Sequence, residues 1–360
     1  MADTKIEWAN KTWNPTRGCS LVSDGCKHCY AMRQAHRFNT AGGPYEGLTV
    51  LTSTGPKWNG DITLVPDKLG EPMRWRNPCR IFVNSMSDVF HEGVDDSFID
   101  RIFGVIQLCP QHIFQILTKR PQRMMEYMNE PGRGGKVMLA AEREAFDQDT
   151  LAQRHGRLPA TAKYDKTADI TAGESLIKVK GGTWPPPNAW MGTSVENQKT
   201  ADERIPFLLR TLAMVRWISA EPLLGMIDLR EAHVTKQRLA NWPNPTRVDW
   251  VVVGGESGPG ARPMDPEWAR SLRDQCVSRN IAYFFKQYGD WAVGGKVEKD
   301  DSYAGGYAFD SLFGGRVSTQ CVRNRGRNTR ALEGNRVIER VGKHKAGRLL
   351  DGREWNQYPR

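Results

Sequence analysis

The chain has 360 residues, 39% hydrophobic and 26% charged, with 12 Trp, 9 Tyr and 12 Phe, enough apolar surface to offset chain entropy. Wholesale disorder and a small disulfide-stapled scaffold are therefore excluded. The formal charge is +10, but residues 321–360 hold 11 Lys or Arg against 4 Asp or Glu, so +7 sits in that stretch and only +3 in the preceding 320 residues.

No run reaches the ~18 consecutive apolar residues of a membrane span, and the opening MADTKIEWANKTW lacks the layout of a signal peptide. A soluble cytoplasmic protein is the expectation. Seven cysteines in such a chain argue against a disulfide framework. Three of them fall within eleven residues, as Cys19-x6-Cys26-x2-Cys29 followed by Tyr30. Thiolates this close either coordinate a metal or cluster or are a coincidence of small buried residues. Structural zinc wants a fourth ligand, for which His28 or His36 stands nearby, whereas a [4Fe–4S] cluster held by three Cys leaves one iron open. The loop is rich in turn formers (Asn14-Pro15, Gly18, Ser23-Asp24-Gly25), and Ala31, Ala35 and Phe38 predict a helix directly after it.

Farther along, Arg80–Asn84 reads as a buried strand, and Asp95-Asp96-Ser97 starts a helix carrying Phe98, Ile99, Ile102, Phe103 and Ile106. His112–Leu117 is a second strand, with Pro121 at the first position of the next helix. Residues 130–187 break this rhythm with Gly132-Arg133-Gly134-Gly135, a helix from Val137 to Gln153 and Trp184-Pro185-Pro186-Pro187, and read as an insertion. Strands then recur at Trp190–Glu196, Val215–Glu221, Trp250–Ser257 and Ile281–Lys286, with Asp265-Pro266-Glu267 capping a helix before the last. Continuous apolar strands alternating with helices argue for a parallel sheet covered by helices, as a barrel or a doubly wound sheet.

Each strand ends in polar residues on the side where parallel α/β folds place their chemistry. These are Ser85, Ser87 and Asp88; Thr118, Lys119 and Arg120; Ser194 and Glu196; Ser219 and Glu221; Glu256 and Ser257; Lys286 and Gln287. Of the other cysteines, Cys79, Cys109 and Cys276 read as core. Cys321 stands beside Arg323, Arg325, Arg327 and Arg330, where it is a candidate hydrogen-atom donor. Aromatics and arginines interleave over residues 291–360, which suits either stacking on unpaired bases with phosphate contact or a cap over a barrel mouth.

The combination of Lys5-Ile6-Glu7-Trp8, Thr12-Trp13-Asn14-Pro15, the three-Cys loop, Asn84–Asp88, Leu117–Pro121, Gly254–Ser257 and Gly347–Trp355 resembles the phage Gp37/Gp68 (DUF5131-like) family, itself similar to radical S-adenosylmethionine (SAM) enzymes. One departure stands out: the commonest radical SAM pattern is Cys-x3-Cys-x2-Cys, and here the first spacer has six residues. The resemblance implies a partial (β/α) TIM-like barrel. Its first part would be residues 1–129 with the cluster loop and its remainder 188–290, with the insertion at 130–187 and a basic C-terminal extension at 291–360. It implies that Cys19, Cys26 and Cys29 hold a [4Fe–4S] cluster and that SAM is cleaved reductively to abstract hydrogen from a substrate. The cofactor-binding candidates are then Tyr30, Ser85, Ser87 and Asp88, with Lys119 or Arg120 for the SAM carboxylate, and Ser194, Glu196 and Glu221 farther round the rim. Glu256, Lys286 and Cys321 are the catalytic candidates. A nucleic-acid substrate, for base modification or repair, and an external electron donor are expected. A small-molecule or peptide substrate, and a non-catalytic zinc-binding nucleic-acid module, stay open as alternatives.

Overall fold

The computed structural model describes residues 4–154, 183–229, 247–296, 303–309, 317–324, 327–332 and 336–359, with side chains described at 4–147, 183–229, 247–292 and 340–359. Seven strands form one sheet: β1 (Lys11–Trp13), β6 (Arg80–Val83), β7 (Ile113–Thr118), β8 (Ala189–Ser194), β9 (Val215–Ala220), β10 (Trp250–Gly254) and β11 (Ala282–Gln287). They lie in that order with every neighbouring pair parallel, which is the expected partial barrel. Between β1 and β6 stand α1 (Tyr30–Arg37) and two ribbons, β2 (Thr16–Arg17) with β5 (Thr63–Leu64) and β3 (Thr49–Thr52) with β4 (Gly55–Trp58).

Alternate residues of each strand point to opposite faces. One set, including Ile81, Val83, Phe114, Ile116, Val251 and Val253, joins a core with α2 (Asp96–Leu108), α3 (Pro121–Asn129), α5 (Gln198–Arg210) and α6 (Pro266–Ser278). The other set meets no helix: Phe82, Trp190, Trp217, Trp250, Val252 and Phe284 cluster around Trp8, which enters from the segment before β1. This inner cluster measures the curl. Trp8 lies 4.7 Å from Phe82 on β6 and 6.2 Å from Trp250 on β10, ring centre to ring centre. A flat sheet would hold β6 and β10 about 19 Å apart, at roughly 4.8 Å per strand. Gly192 belongs to this packing, because a Cβ there would stand 2.4 Å from the Trp217 indole.

The chain ends help to close the open side. Phe284 bridges Asn356 in antiparallel fashion, and Trp250 Nε1 donates to Gln357 O at 2.9 Å. Tyr358 packs its ring on Trp250 and Phe284, while Arg80 of β6 lies 4.2 Å over it.

Three expectations are revised. The helix at the start of the insertion, α4 (Arg133–Arg154), begins four residues earlier than read, because the Arg133 guanidinium is buried against Asp96, Asp100 and the Tyr127 ring and so anchors the glycine-rich turn. It packs on α2, where Gly104 admits the Ala141 backbone, so its described part belongs to the helical layer. Phe38 was expected on the inner face of α1 but lies beyond the helix end, 49% exposed, and Met32 fills that face instead. The C-terminal extension is a five-stranded antiparallel sheet in the order β12 (Trp291–Lys296), β16 (Arg336–Arg340), β15 (Arg327–Leu332), β14 (Val317–Asn324), β13 (Tyr303–Phe309). Among the described residues no helix is long and apolar enough to cross a membrane.

Candidate functional site

The C-terminal ends of the parallel strands form a polar rim above the tryptophan cluster, and the three-cysteine loop lies across it. Glu196, just past β8, is fully buried and gathers several partners: Ser23 Oγ donates to Oε1 at 2.8 Å, Lys119 Nζ at 2.6 Å, and Arg204 of α5 approaches both oxygens at 3.2–3.3 Å. Burial alone would raise the Glu196 carboxyl, but Lys119 and Arg204 outweigh it and hold it below the usual range. Gly25 presses on the same carboxylate, since a Cβ there would meet Oε1 at 2.4 Å.

Asp88, past β6, is a second hub. Its carboxylate accepts from Thr118 Oγ1, the Lys119 and Phe90 amides and Arg120 Nη1, all between 2.7 and 3.1 Å. Arg120 also pairs with Glu92 and donates to Ser20 Oγ at 2.6 Å, and Ser20 in turn meets His91 Nε2 at 2.9 Å. The residue after Cys19 is thereby tied to β6 and β7. Ser85 and Ser87 hold the turn after β1: Ser85 Oγ reaches Asn14 Oδ1 at 3.2 Å, and Ser87 Oγ meets Thr16. Tyr30 donates to the Ser85 carbonyl at 2.8 Å. It keeps 49% of its surface open, yet burial around its hydroxyl, with Cys29 and Glu221, raises the phenol.

On the other flank Lys286 Nζ lies 2.5 Å from Glu221 Oε1 and 4.0 Å from Glu7 Oε2, while Lys343 pairs with Glu7 Oε1 at 2.9 Å. Glu256 is held apart from this group. Arg262 grips it through its amide, Nε and Nη2 at 2.7–2.9 Å and passes Nη2 on to the Asp24 carbonyl. Ser194 contributes its carbonyl to Arg204. Cys321 lies on β14, where the backbone alone is described; Arg323, Arg327 and Arg330 share that condition, and Arg325 lies outside the described residues.

The structure thus brings Cys19, Cys26, Cys29, Tyr30, Ser85, Ser87, Asp88, Lys119, Arg120, Glu196, Glu221 and Lys286 to one rim. Sequence reasoning missed Glu7, Ser23, Arg204 and Arg262. Arg204 and Arg262 carried no signal beyond lying within a helix or loop, and Glu7 precedes a strand too short to read.

The thiols themselves are partly covered. Cys19 and Cys29 pack beside the apolar patch of Ala31, Met32 and Trp58, and the Val22 amide points at Cys26 Sγ at 3.5 Å. Burial, with Asp88 adding and Arg120 opposing, pushes the Cys19 thiol up to about 12. Burial also raises Cys29, against the first amides of α1 at Ala31 and Met32. Among the described residues no three His, Cys, Asp or Glu side chains stand in ready ligand geometry. The His28 ring lies against Gly260, and His36 Nδ1 meets Thr49 Oγ1 at 2.9 Å. The donor chemistry, three thiols on one loop with amides aimed at sulfur, fits an iron–sulfur cluster, and the thiols would have to draw together to hold it.

No curated protein and no solved structure matches the chain. A family model described as a protein of unknown function (DUF5131) matches residues 3–359. Since the match covers nearly the whole length, the chain belongs to the DUF5131 family.

Proposed function

We propose that the protein is a radical SAM-type enzyme in which Cys19, Cys26 and Cys29 hold a [4Fe–4S] cluster, acting on a nucleic acid to modify or repair a base. The observation that carries this reading is the placement of a three-thiol loop across the C-terminal mouth of a curled parallel half-barrel, above a polar rim and an aromatic floor. When bound and reduced, such a cluster supplies the electron that cleaves SAM and opens hydrogen abstraction from substrate.

The chain's own residues do the rest. The exposed Tyr30 ring, next in the chain to Cys29, offers a flat face for the adenosine part of SAM, and the Ser85–Ser87 turn, whose hydroxyls bond Asn14 and Thr16, offers its remaining lone pairs to the amino part. Asp88, Arg120 and Glu196 are engaged within the protein and hold the loop in place, so their role moves from cofactor contact to positioning. Lys286 bonds Glu221 closely and stands 4.0 Å from Glu7 Oε2, which among the described residues is buried without a hydrogen bond, so this flank is the one suited to a substrate. The local charge of +7 over residues 321–360 supports a polyanionic substrate. An external electron donor is part of the reading.

The test is anaerobic iron and sulfide reconstitution, reduction with dithionite, and assay for 5′-deoxyadenosine in wild type and Cys26→Ala. Iron near four per chain with cleavage that vanishes in the variant is the expected result. A colourless protein that takes up one zinc and no cluster sinks the enzyme reading.

A further inference from the structure

The six residues between Cys19 and Cys26 are held at nearly every step. Ser20 Oγ is bonded by Arg120 at 2.6 Å, Ser23 Oγ donates to Glu196 at 2.8 Å, the Asp24 carbonyl receives Arg262 at 2.9 Å, and Gly25 abuts the Glu196 carboxylate. Leu21 and Val22 form the tip, 45% and 43% exposed, and there the Val22 amide turns to Cys26 Sγ. These clamping groups come from just past β7 and β8 and from the loop after β10, so the spacer is tied to the barrel as well as to its own turn, where the Cys26 amide donates to the Ser23 carbonyl at 2.9 Å. Three held hydroxyl or carbonyl groups, with a glycine at which a Cβ would displace the Glu196 carboxylate, would be a large coincidence in a loop that merely connects.

We infer that this rim clamp, centred on Glu196, holds the spacer against the barrel so that a stretch of six residues can still bring the Cys19 and Cys26 thiols together at a metal site. Glu196 and Arg262 are positioning residues acting through Ser23, Asp24 and Gly25. The inference rests on the cluster reading for its purpose but not for its geometry, and the two can fail separately. The physical reason is entropic: a free six-residue loop would pay its ordering entropy each time the thiols converge, whereas in a clamped one most of the spacer is ordered on folding and chiefly the thiol-bearing residues have to move.

The test uses Cd²⁺ alone as probe, titrated into reduced, metal-free protein and followed by the thiolate-to-metal absorbance, for wild type, Ser23→Ala, Gly25→Ala and Leu21→Ala. Ser23→Ala removes one bond near the surface and leaves Glu196 with Lys119 and Arg204, so it folds even if Gly25→Ala does not. Ser23→Ala and Gly25→Ala should weaken thiol-bound Cd²⁺ about 10- to 100-fold, the range for lost ligand support, and Leu21→Ala should not. In parallel, mass mapping of iodoacetamide labelling without metal should show faster labelling of Cys26 in Ser23→Ala than in wild type. Unchanged Cd²⁺ affinity in Ser23→Ala overturns the inference. If wild type binds no Cd²⁺ through these thiols, the cluster reading falls, and the labelling rates decide the clamp: faster labelling upholds it and equal labelling removes it.

Discussion

Replacing Asp88 by Asn separates two accounts of that residue. In the structure Oδ2 accepts from Thr118 Oγ1 at 2.9 Å, the Lys119 amide at 3.1 Å and Arg120 Nη1 at 3.1 Å, while Oδ1 accepts from Thr118 and the Phe90 amide. An Asn can keep Oδ1 as the carbonyl, but its NH₂ then faces the Lys119 amide and the Arg120 guanidinium, both donors. Arg120 is 8% exposed, so part of a buried pair is broken, and removing one partner of such a pair costs about 3–5 kcal/mol. Glu92 still holds Arg120 Nε at 2.9 Å, which places the expected loss at the lower end, about 3 kcal/mol. Guanidinium chloride unfolding followed by tryptophan fluorescence measures it, provided the midpoint shifts at constant slope. A variant within about 0.5 kcal/mol of wild type, the scale of a neutral surface change, would refute the hub reasoning. If that variant had also lost SAM affinity, the carboxylate would be a cofactor contact after all.

Other expectations follow from the same packing. Gly192→Ala should cost about 1–3 kcal/mol by overpacking against Trp217, and pairing it with Trp217→Phe should recover part of that loss; strictly additive effects would show that the two do not touch. The Glu196 carboxyl is depressed when folded, so its contribution is present above its ordinary value of 4.5 and fades as pH falls below it. The stability gap between wild type and Glu196→Gln should therefore be constant near neutrality and shrink below about pH 4.5, and a gap that widens on acidification would contradict the assignment. Tyr358→Ala should lower stability by about 1–3 kcal/mol in the same unfolding assay, through its lost contacts with Trp250, Phe284 and Arg80, whereas an effect near zero would show the tail to be a bystander.

How far the sequence could be read depended on whether a signal was local. β6 to β11 announce themselves as apolar runs between turn formers, and Pro121 and Asp265 stand where helix starts need them, with Asp265 accepting from the Glu267 amide at 2.9 Å. β1 has three residues, too few for a period, so the first barrel strand passed unnoticed. The C-terminal sheet carries Gly305-Gly306 within β13 and a dense arginine content in β14 and β15, which blur alternation. In the site, residue types at strand ends were legible because parallel sheets put them there. Their pairings were not: Asp88 meets Thr118 across 30 positions and Ser23 meets Glu196 across 173, distances set by topology. For that reason Asp88, Arg120 and Glu196 read as free ligands in the sequence and stand as internal struts in the fold.

The closing of the half-barrel by residues from both ends has a consequence for biosynthesis. The inner cluster needs Trp8, and β11 receives its outer bonds from Asn356 and Gln357, which are synthesised long after it. While the chain is still emerging from the ribosome, β11 has a bare edge and the aromatic interior is open along one side. The barrel cannot be sealed until residue 358 is free of the exit tunnel, so exposure to aggregation and to chaperones should last until that point is passed.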